Sequence, residues 1–307
     1  MAQKTFLSIG ECMVELTEAG PGTLRKGFAG DTFNMAYYAR HALPDDWQIE
    51  YLTALGIDAV SSEMLAFMTN NRIGTRHVIC DRDRLPGLYM VHVDKGERSF
   101  SYWRTASAAR WLAADADRLR QAISAADQVF FSGITMAIVR PEDRPTLLTE
   151  LARAKAQGRE VVFDPNIRVR LWESIDEARS ILTEAARAST IVMPSFDDEN
   201  MCFGDKSPEE TIARYRSLGI DHVVVKNGAS GTTVFRHDTR WFVPAIPTAN
   251  VVDTTSAGDS FNGTYLARLM HGDTPEQAAR FAAKVASFVI GHQGAIVPHK
   301  LRPELSG

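Results

Sequence analysis

The feature that most constrains this chain is a rhythm: short β-rich runs alternate with helical stretches through most of its 307 residues. The runs lie at 5–9, 49–55, 128–132, 160–163, 190–193 and 222–226. Between them, 32–41, 61–71, 115–125, 142–157, 175–188 and 208–218 read as helices, and two more at 256–270 and 275–290 follow. Strand, helix, strand repeated in this way predicts an α/β fold with a mainly parallel sheet covered by helices on both faces. Two stretches, about 12–28 and 85–104, break the rhythm with alternating polar and apolar residues, and Asp94-Lys95-Gly96 supplies a turn in the second. They predict antiparallel strands outside the main sheet, either an ordinary edge hairpin without function or a small β-sheet well placed to act as a lid over the carboxyl edge where open α/β sheets bind ligands. No repeat, low-complexity tract or Pro/Gly-rich linker divides the chain, so residues 1–307 are expected to form a single domain.

Charge and cysteine content narrow the function. A net charge of -4 gives none of the basic surplus that non-specific nucleic-acid binding requires, so a small anionic ligand must find locally placed cations. Cys12, Cys80 and Cys202 are odd in number and lack CxxC spacing, which predicts free thiols in a reducing compartment. The first residues lack a signal-like pattern, and no apolar run approaches the roughly 18 to 20 residues that span a bilayer, so the expected location is cytoplasmic, with no membrane partner. None of the eight histidines falls in an HExxH-type pattern, and no structural metal is expected.

The most informative stretch is 252–263, where small residues and glycine precede a helical pattern. A helix starting there exposes unpaired backbone N–H groups and the positive end of its dipole, an anion site suited to phosphate. Asp259 falls in the first turn, where anion binding alone explains a carboxylate poorly and a base for a hydroxyl nucleophile explains it well. Simple helix capping by Asp259 and Ser260 is the competing explanation for a short string of this kind. The longer segment from Asp253 to Phe261 weighs against it, because it resembles the D-T-x-G/A-A-G-D-x-F signature of pfkB-family carbohydrate kinases. Ser256 stands where that family more often has glycine or alanine, a change expected to leave the backbone path intact.

The resemblance extends along the chain. The segment Gly10 to Leu16 looks like the family's opening strand, and Gly27 to Asn34 looks like its glycine-rich substrate loop. A middle set is similar to kinases of 2-keto-3-deoxygluconate: Arg84 to Tyr89, Tyr102-Trp103-Arg104, Asp164-Pro165-Asn166-Ile167-Arg168 with Leu171-Trp172, and the late Gln293 to Ile296. The resemblance implies a ribokinase-like three-layer fold, MgATP as phosphoryl donor and a sugar acid as acceptor. A sugar acid needs cations and short polar groups. Arg104 and Arg168 are the candidate forks for its carboxylate or for phosphate oxygens, and Tyr89 and Tyr102 could donate hydroxyl bonds and pack on the carbon chain. Gly30, Asp31 and Asn34 would meet its hydroxyls.

The nucleotide side is less explicit. No Gly-Lys dipeptide occurs, which excludes a Walker A loop. Lys226-Asn227-Gly228-Ala229-Ser230-Gly231, directly after a strand run, resembles the family's K-x-G-x-x-G segment along the phosphates; by itself Gly228-x-x-Gly231 reads as a hairpin turn. Ser195 and Asp198 stand where the family has an N-x-x-E pair associated with magnesium-bound water. Asn166 is also assigned to the nucleotide, and Ser287, on the last helix, to an adenine pocket around 283–287.

The implied reaction is transfer of the γ-phosphoryl group to a C6 hydroxyl, with Asp259 as base, a role for which an ordinary carboxylate suffices. The N–H groups of Ala257, Gly258 and Asp259 would stabilise the transferring group. A fructokinase-like enzyme and a non-catalytic nucleotide or sugar sensor are the alternatives. A Rossmann dehydrogenase is disfavoured because no GxGxxG turn follows the first strand. Homo-oligomers built through the lid are a further implication of the family likeness.

Overall fold

A computed structural model describes residues 3–44, 46–94, 97–248 and 250–299. The central sheet has nine strands in the spatial order Thr239–Val243, Thr232–Arg236, His222–Lys226, Ile191–Val192, Glu160–Asp164, Gln128–Ser132, Lys4–Ile9, Trp47–Leu52, Ile73–Gly74. From His222–Lys226 onward every pairing is parallel. Alternate residues of these strands enter separate cores. Phe6, Phe130 and Val162 face one, against the helices Asp31–Arg40, Ala257–Met270 and Pro275–Ile290. Leu7, Val129, Phe131, Val161 and Phe163 face the other, against Ala116–Ser124, Arg144–Ala156 and Ile175–Arg187. Burial on both faces is what made these strands read as nearly continuous apolar runs.

Local signals set the helix starts. Asp58, Asp115, Ser174 and Ser207 each accept backbone N–H bonds as N-caps. Thr274 and Gln277 form a reciprocal capping box ahead of the last helix, with Pro275 at its first position.

The second sheet has four strands, ordered Thr23–Ala29, Met13–Gly20, Leu88–Asp94, Glu97–Trp103. It comprises two antiparallel hairpins, but its middle pair, Val14 opposite Leu88, runs parallel, which corrects the expectation of an antiparallel sheet. The two hairpins arrive from separate parts of the chain, so no tight turn forces their inner strands to oppose. Lys95 and Gly96 of the expected turn lie outside the described residues. The inner face packs Met13, Ala29, Tyr89 and Val91 against Ala295, which fixes the sheet over the carboxyl ends of the parallel strands.

A hairpin unforeseen in the sequence, Thr232–Arg236 with Thr239–Val243, extends the main sheet antiparallel to its neighbour. Its two-residue connection, His237 and Asp238, holds φ values of 46 and 59°. That left-handed pair suits the twist of a tight hairpin, but Asn-Gly is its usual signature, and His-Asp gave no turn signal.

Candidate active site

The carboxyl ends of the parallel strands supply the floor of the site. Glu11 follows the first strand, Asp164 ends the fifth in the spatial order above, and Lys226 ends the third. Helix starts and the lid supply its walls. Gly30 precedes the helix Asp31–Arg40, and a Cβ there would lie 2.1 Å from the Glu11 carbonyl oxygen, so only glycine lets the loop pass this close to the floor. The helix Ala257–Met270 begins beside it, and a Cβ on Gly263 would meet the Met35 carbonyl at 2.3 Å, so the two helices pack backbone to backbone.

These elements enclose a polar cavity of about 330 Å³ beneath the lid. It gathers every residue assigned to the sugar: Gly30, Asp31, Asn34, Tyr89, Tyr102, Arg104, Arg168 and Asp259. Glu11, Phe100 and Arg170 also line it, and sequence reasoning gave them no role. Asp259 is part of its lining. Asn34 Nδ2 donates to Asp259 Oδ2 at 2.9 Å, and Asn34 Oδ1 accepts from the Gly30 N–H at 3.3 Å, so the amide holds the carboxylate to the opposite loop. Asn166 Nδ2 donates to Asp31 Oδ2 at 2.9 Å. Burial, then the neighbouring Asp31 carboxylate, pushes Asp259 up to about 7, although an ordinary carboxylate would suffice for the implied base.

The cations are more engaged than their sequence suggests. Arg104 forms a buried ion pair with Glu11 across the lid boundary, with side chains 10% and 1% exposed. Arg168 reaches the cavity wall but donates to Asp198 Oδ2 at 3.3 Å and to the Ile167 carbonyl at 2.8 Å. Lys226 Nζ bonds Asp164 Oδ2 at 3.1 Å and Asn262 Oδ1 at 3.0 Å. Tyr89 donates its hydroxyl to Glu15, and burial beside that carboxylate raises its pKa, so its contribution to the cavity is chiefly its ring. Tyr102 remains 37% exposed at the mouth.

A second cavity of about 590 Å³ lies on the far side of the Ala257–Met270 helix start. Gly228, Gly231, Ala283, Ala286 and Ser287 line it, together with Pro244 to Thr248 and Val251. The wall from Pro244 to Thr248 was unforeseen. Ser287 Oγ bonds Thr248 Oγ1 at 2.7 Å, which ties that wall to the last helix. Gly228–Ser230 is a turn between antiparallel strands, as its pattern suggested, and it also borders the cavity. Gly231 holds φ 101° with its Cα against the strand edge, where a Cβ would meet the Val243 carbonyl at 2.5 Å.

A third, smaller space of about 270 Å³ joins the two, lined by Ser195, Asp197, Lys226, Ala257 and Gly258. The first turn of the helix Ala257–Met270 opens onto it. The Ala257 N–H bonds the Thr254 carbonyl at 3.3 Å, so of the three N–H groups expected to face a phosphoryl group, those of Gly258 and Asp259 are the ones without a partner among the described residues. Ser256 takes φ 64°, the left-handed region, with its hydroxyl buried and unbonded; glycine suits that backbone better than the expected neutral exchange implied. Asn166 lines the polar cavity beside Ser195, Lys226, Ala257 and Gly258, and it lines neither of the other two spaces. Asp198 turns away from the junction to accept from the Ile167 N–H at 3.2 Å, leaving Ser195 and Asp197 there.

Two cavities, one polar and one apolar, thus meet at a helix N-terminus that carries a buried carboxylate. Residues 3–301 match the profile of the pfkB family carbohydrate kinases. The chain belongs to that family. Among its pfkB relatives, the 2-dehydro-3-deoxygluconokinase of Dickeya dadantii is 40% identical over 99% of this chain and 100% of its own length. That of Escherichia coli K12 is 38% identical over 98% and 99%. The PfkB protein of Polaromonas sp. JS666 superposes on this pfkB chain with a TM-score of 0.84, at 26% identity, covering 98% of it and 100% of its own chain. A ribokinase II from E. coli solved with ATP and Mg²⁺ gives a TM-score of 0.84 at 21% identity over 95% and 94%. The fold of this pfkB chain is therefore ribokinase-like, as the sequence predicted. No helix among its described residues is long and apolar enough to cross a membrane.

Proposed function

We propose that this pfkB-family chain is an ATP-dependent kinase of 2-keto-3-deoxygluconate that phosphorylates the C6 hydroxyl with Asp259 as base. The observation that carries the reading is the position of Asp259: it lines the polar cavity with its carboxylate held by Asn34, and its backbone N–H belongs to the helix start beside the junction. The names of the full-length relatives support the substrate.

The apolar cavity suits adenine, its walls being small side chains and proline rings. The junction suits the phosphates, with free N–H groups of Gly258 and Asp259 and the Lys226 ammonium above them. A magnesium ion carried by those phosphates would meet Ser195 and Asp197.

In the sugar cavity, Arg104 and Arg168 orient the acid end, Asp31 accepts from a sugar hydroxyl, and the C6 hydroxyl rests on Asp259. The C6 oxygen forms a bond to the γ-phosphorus as the bond to ADP breaks, and its proton passes to Asp259. A carboxylate pushed to about 7 takes that proton more readily than an ordinary one. Asn34 holds it in place, while the two free N–H groups face the charge on the transferring group.

The lid also leaves Leu24 and Trp103 exposed, at 44% and 58%, which supports association of copies through this sheet. Coupled ADP release with 2-keto-3-deoxygluconate, its galactonate-derived epimer, fructose, ribose and 2-ketogluconate tests the whole reading. Turnover of the deoxy acid well above the rest is expected. Preference for fructose or ribose would replace the substrate, and no turnover on any of them would remove the catalytic role.

A further inference from the structure

The polar cavity is lined by four cationic side chains, Arg104, Arg168, Arg170 and Lys226. Three face an acid: Arg104 pairs with Glu11, Arg168 with Asp198, and Lys226 with Asp164. Arg170 has no carboxylate within ion-pair distance among the described residues. Its guanidinium carbon instead lies 4.5 Å from the centre of the Tyr102 ring, on the lid side of the mouth. The same ring has the Arg104 guanidinium 5.9 Å from its centre, so two forks lie near one aromatic ring.

The position of Arg170 follows from a local turn. Asn166 takes φ 34°, and the chain then makes the single 3-10 turn Val169–Leu171, after which Trp172 returns to the core at 8% exposure. The turn presents Arg168 and Arg170, two residues apart, at the cavity wall. A guanidinium stacked on an aromatic ring keeps its in-plane N–H donors free for a planar anion. An arginine already paired with a carboxylate has little net charge left to attract another.

We propose that Arg170 is the specificity-determining cation of the sugar cavity. It binds the substrate carboxylate above Tyr102 and sets the preference for an acid over a neutral sugar, while the paired Arg104 and Arg168 orient the substrate. This rests on the sugar-acid reading above. A charge-assisted bond of roughly 1.5–3 kcal/mol corresponds to about a tenfold to hundredfold effect on kcat/KM.

The test compares wild type, Arg170→Met and Arg170→Lys on 2-keto-3-deoxygluconate and on its neutral C1 amide, with kcat and KM resolved. Methionine preserves apolar packing on Tyr102 and removes the charge. Arg170→Met is expected to lose about tenfold or more in kcat/KM on the acid beyond any loss on the amide, chiefly through KM, and Arg170→Lys to recover part of it. Equal losses on acid and amide, or none on either, would overturn the role of Arg170. Failure of the wild-type enzyme to prefer the acid would instead overturn the sugar-acid reading.

Discussion

The two large cavities of this protein are built on different principles. The polar cavity is the smaller, about 330 Å³ against about 590 Å³, and nearly every charged group in it is already bonded to protein. Its walls come from the main sheet, two helix starts and the lid, and ion pairs and amide bonds hold them in register. The apolar cavity has almost no such bonds and is shaped by small residues, prolines and one helix face. Pre-set polar contacts select one substrate by geometry, whereas an apolar slot binds a flat ring by area and leaves chemistry to the junction. Substitutions on the two sides should therefore fail in separable ways.

The largest expected effect lies where the cavities meet. Asp259→Asn should lower kcat by roughly 10²–10⁴-fold while ATP affinity, measured by calorimetry, changes by no more than about threefold. Near-normal turnover would remove Asp259 from the base role, and a parallel loss of ATP binding would show that the two sides do not separate.

The second effect is on pH. With Asp259 at about 7, kcat/KM should fall about tenfold per pH unit below that value and level off above it. The same group gives a stability prediction of definite sign. Its folded pKa lies above the ordinary 3.8, so the native state binds the extra proton between those values. Stability from this group is full below about pH 4 and is lost as pH rises through about 7. The melting temperature of Asp259→Asn should therefore gain on wild type between pH 5 and pH 8. A constant difference would mean that the carboxylate is not raised.

A smaller effect isolates the apolar side. Ala283→Phe narrows the apolar cavity at a half-buried wall and, with that cavity as the proposed adenine site, should raise the KM for ATP by roughly tenfold, with the KM for the sugar acid within about twofold. Comparable losses on both substrates would mean that the cavities are mechanically coupled.

The smallest prediction concerns their shared border. Ser256→Gly relieves the left-handed backbone and removes an unbonded buried hydroxyl, a gain of about 1 kcal/mol, or roughly 1–3 °C in melting temperature. A fall instead would show that the hydroxyl has a partner in solution.

The strands and helices around the site were legible because two-sided burial writes continuous apolar runs and because caps such as Thr274 with Gln277 mark the helix starts. The His237-Asp238 hairpin was not, since its turn residues lack the usual glycine. In the site, Asp259, Asn34 and Gly30 were legible through the resemblance of their longer segments to pfkB motifs, since a short glycine-rich string before a helix reads equally well as a cap. Glu11 and Arg170 left traces, a carboxylate at the end of an apolar strand and a second arginine two residues after the first, but neither trace identifies a partner.

By itself, the sequence determined the parallel architecture, the small second sheet and the helix that starts after the glycine-rich turn, because each depends on periodicity or on residues adjacent in the chain. Only the tertiary structure decided which cation meets which acid. Arg104 and Glu11 are 93 positions apart, as are few of the groups whose spacing a sequence displays, and their pairing follows from where the lid comes down. The same holds for the raised pKa of Asp259, which arises from burial and from Asp31 on a distant helix. Electrostatic interactions act through space between side chains that folding brings together, so the charge each group has left for a ligand is a property of the fold.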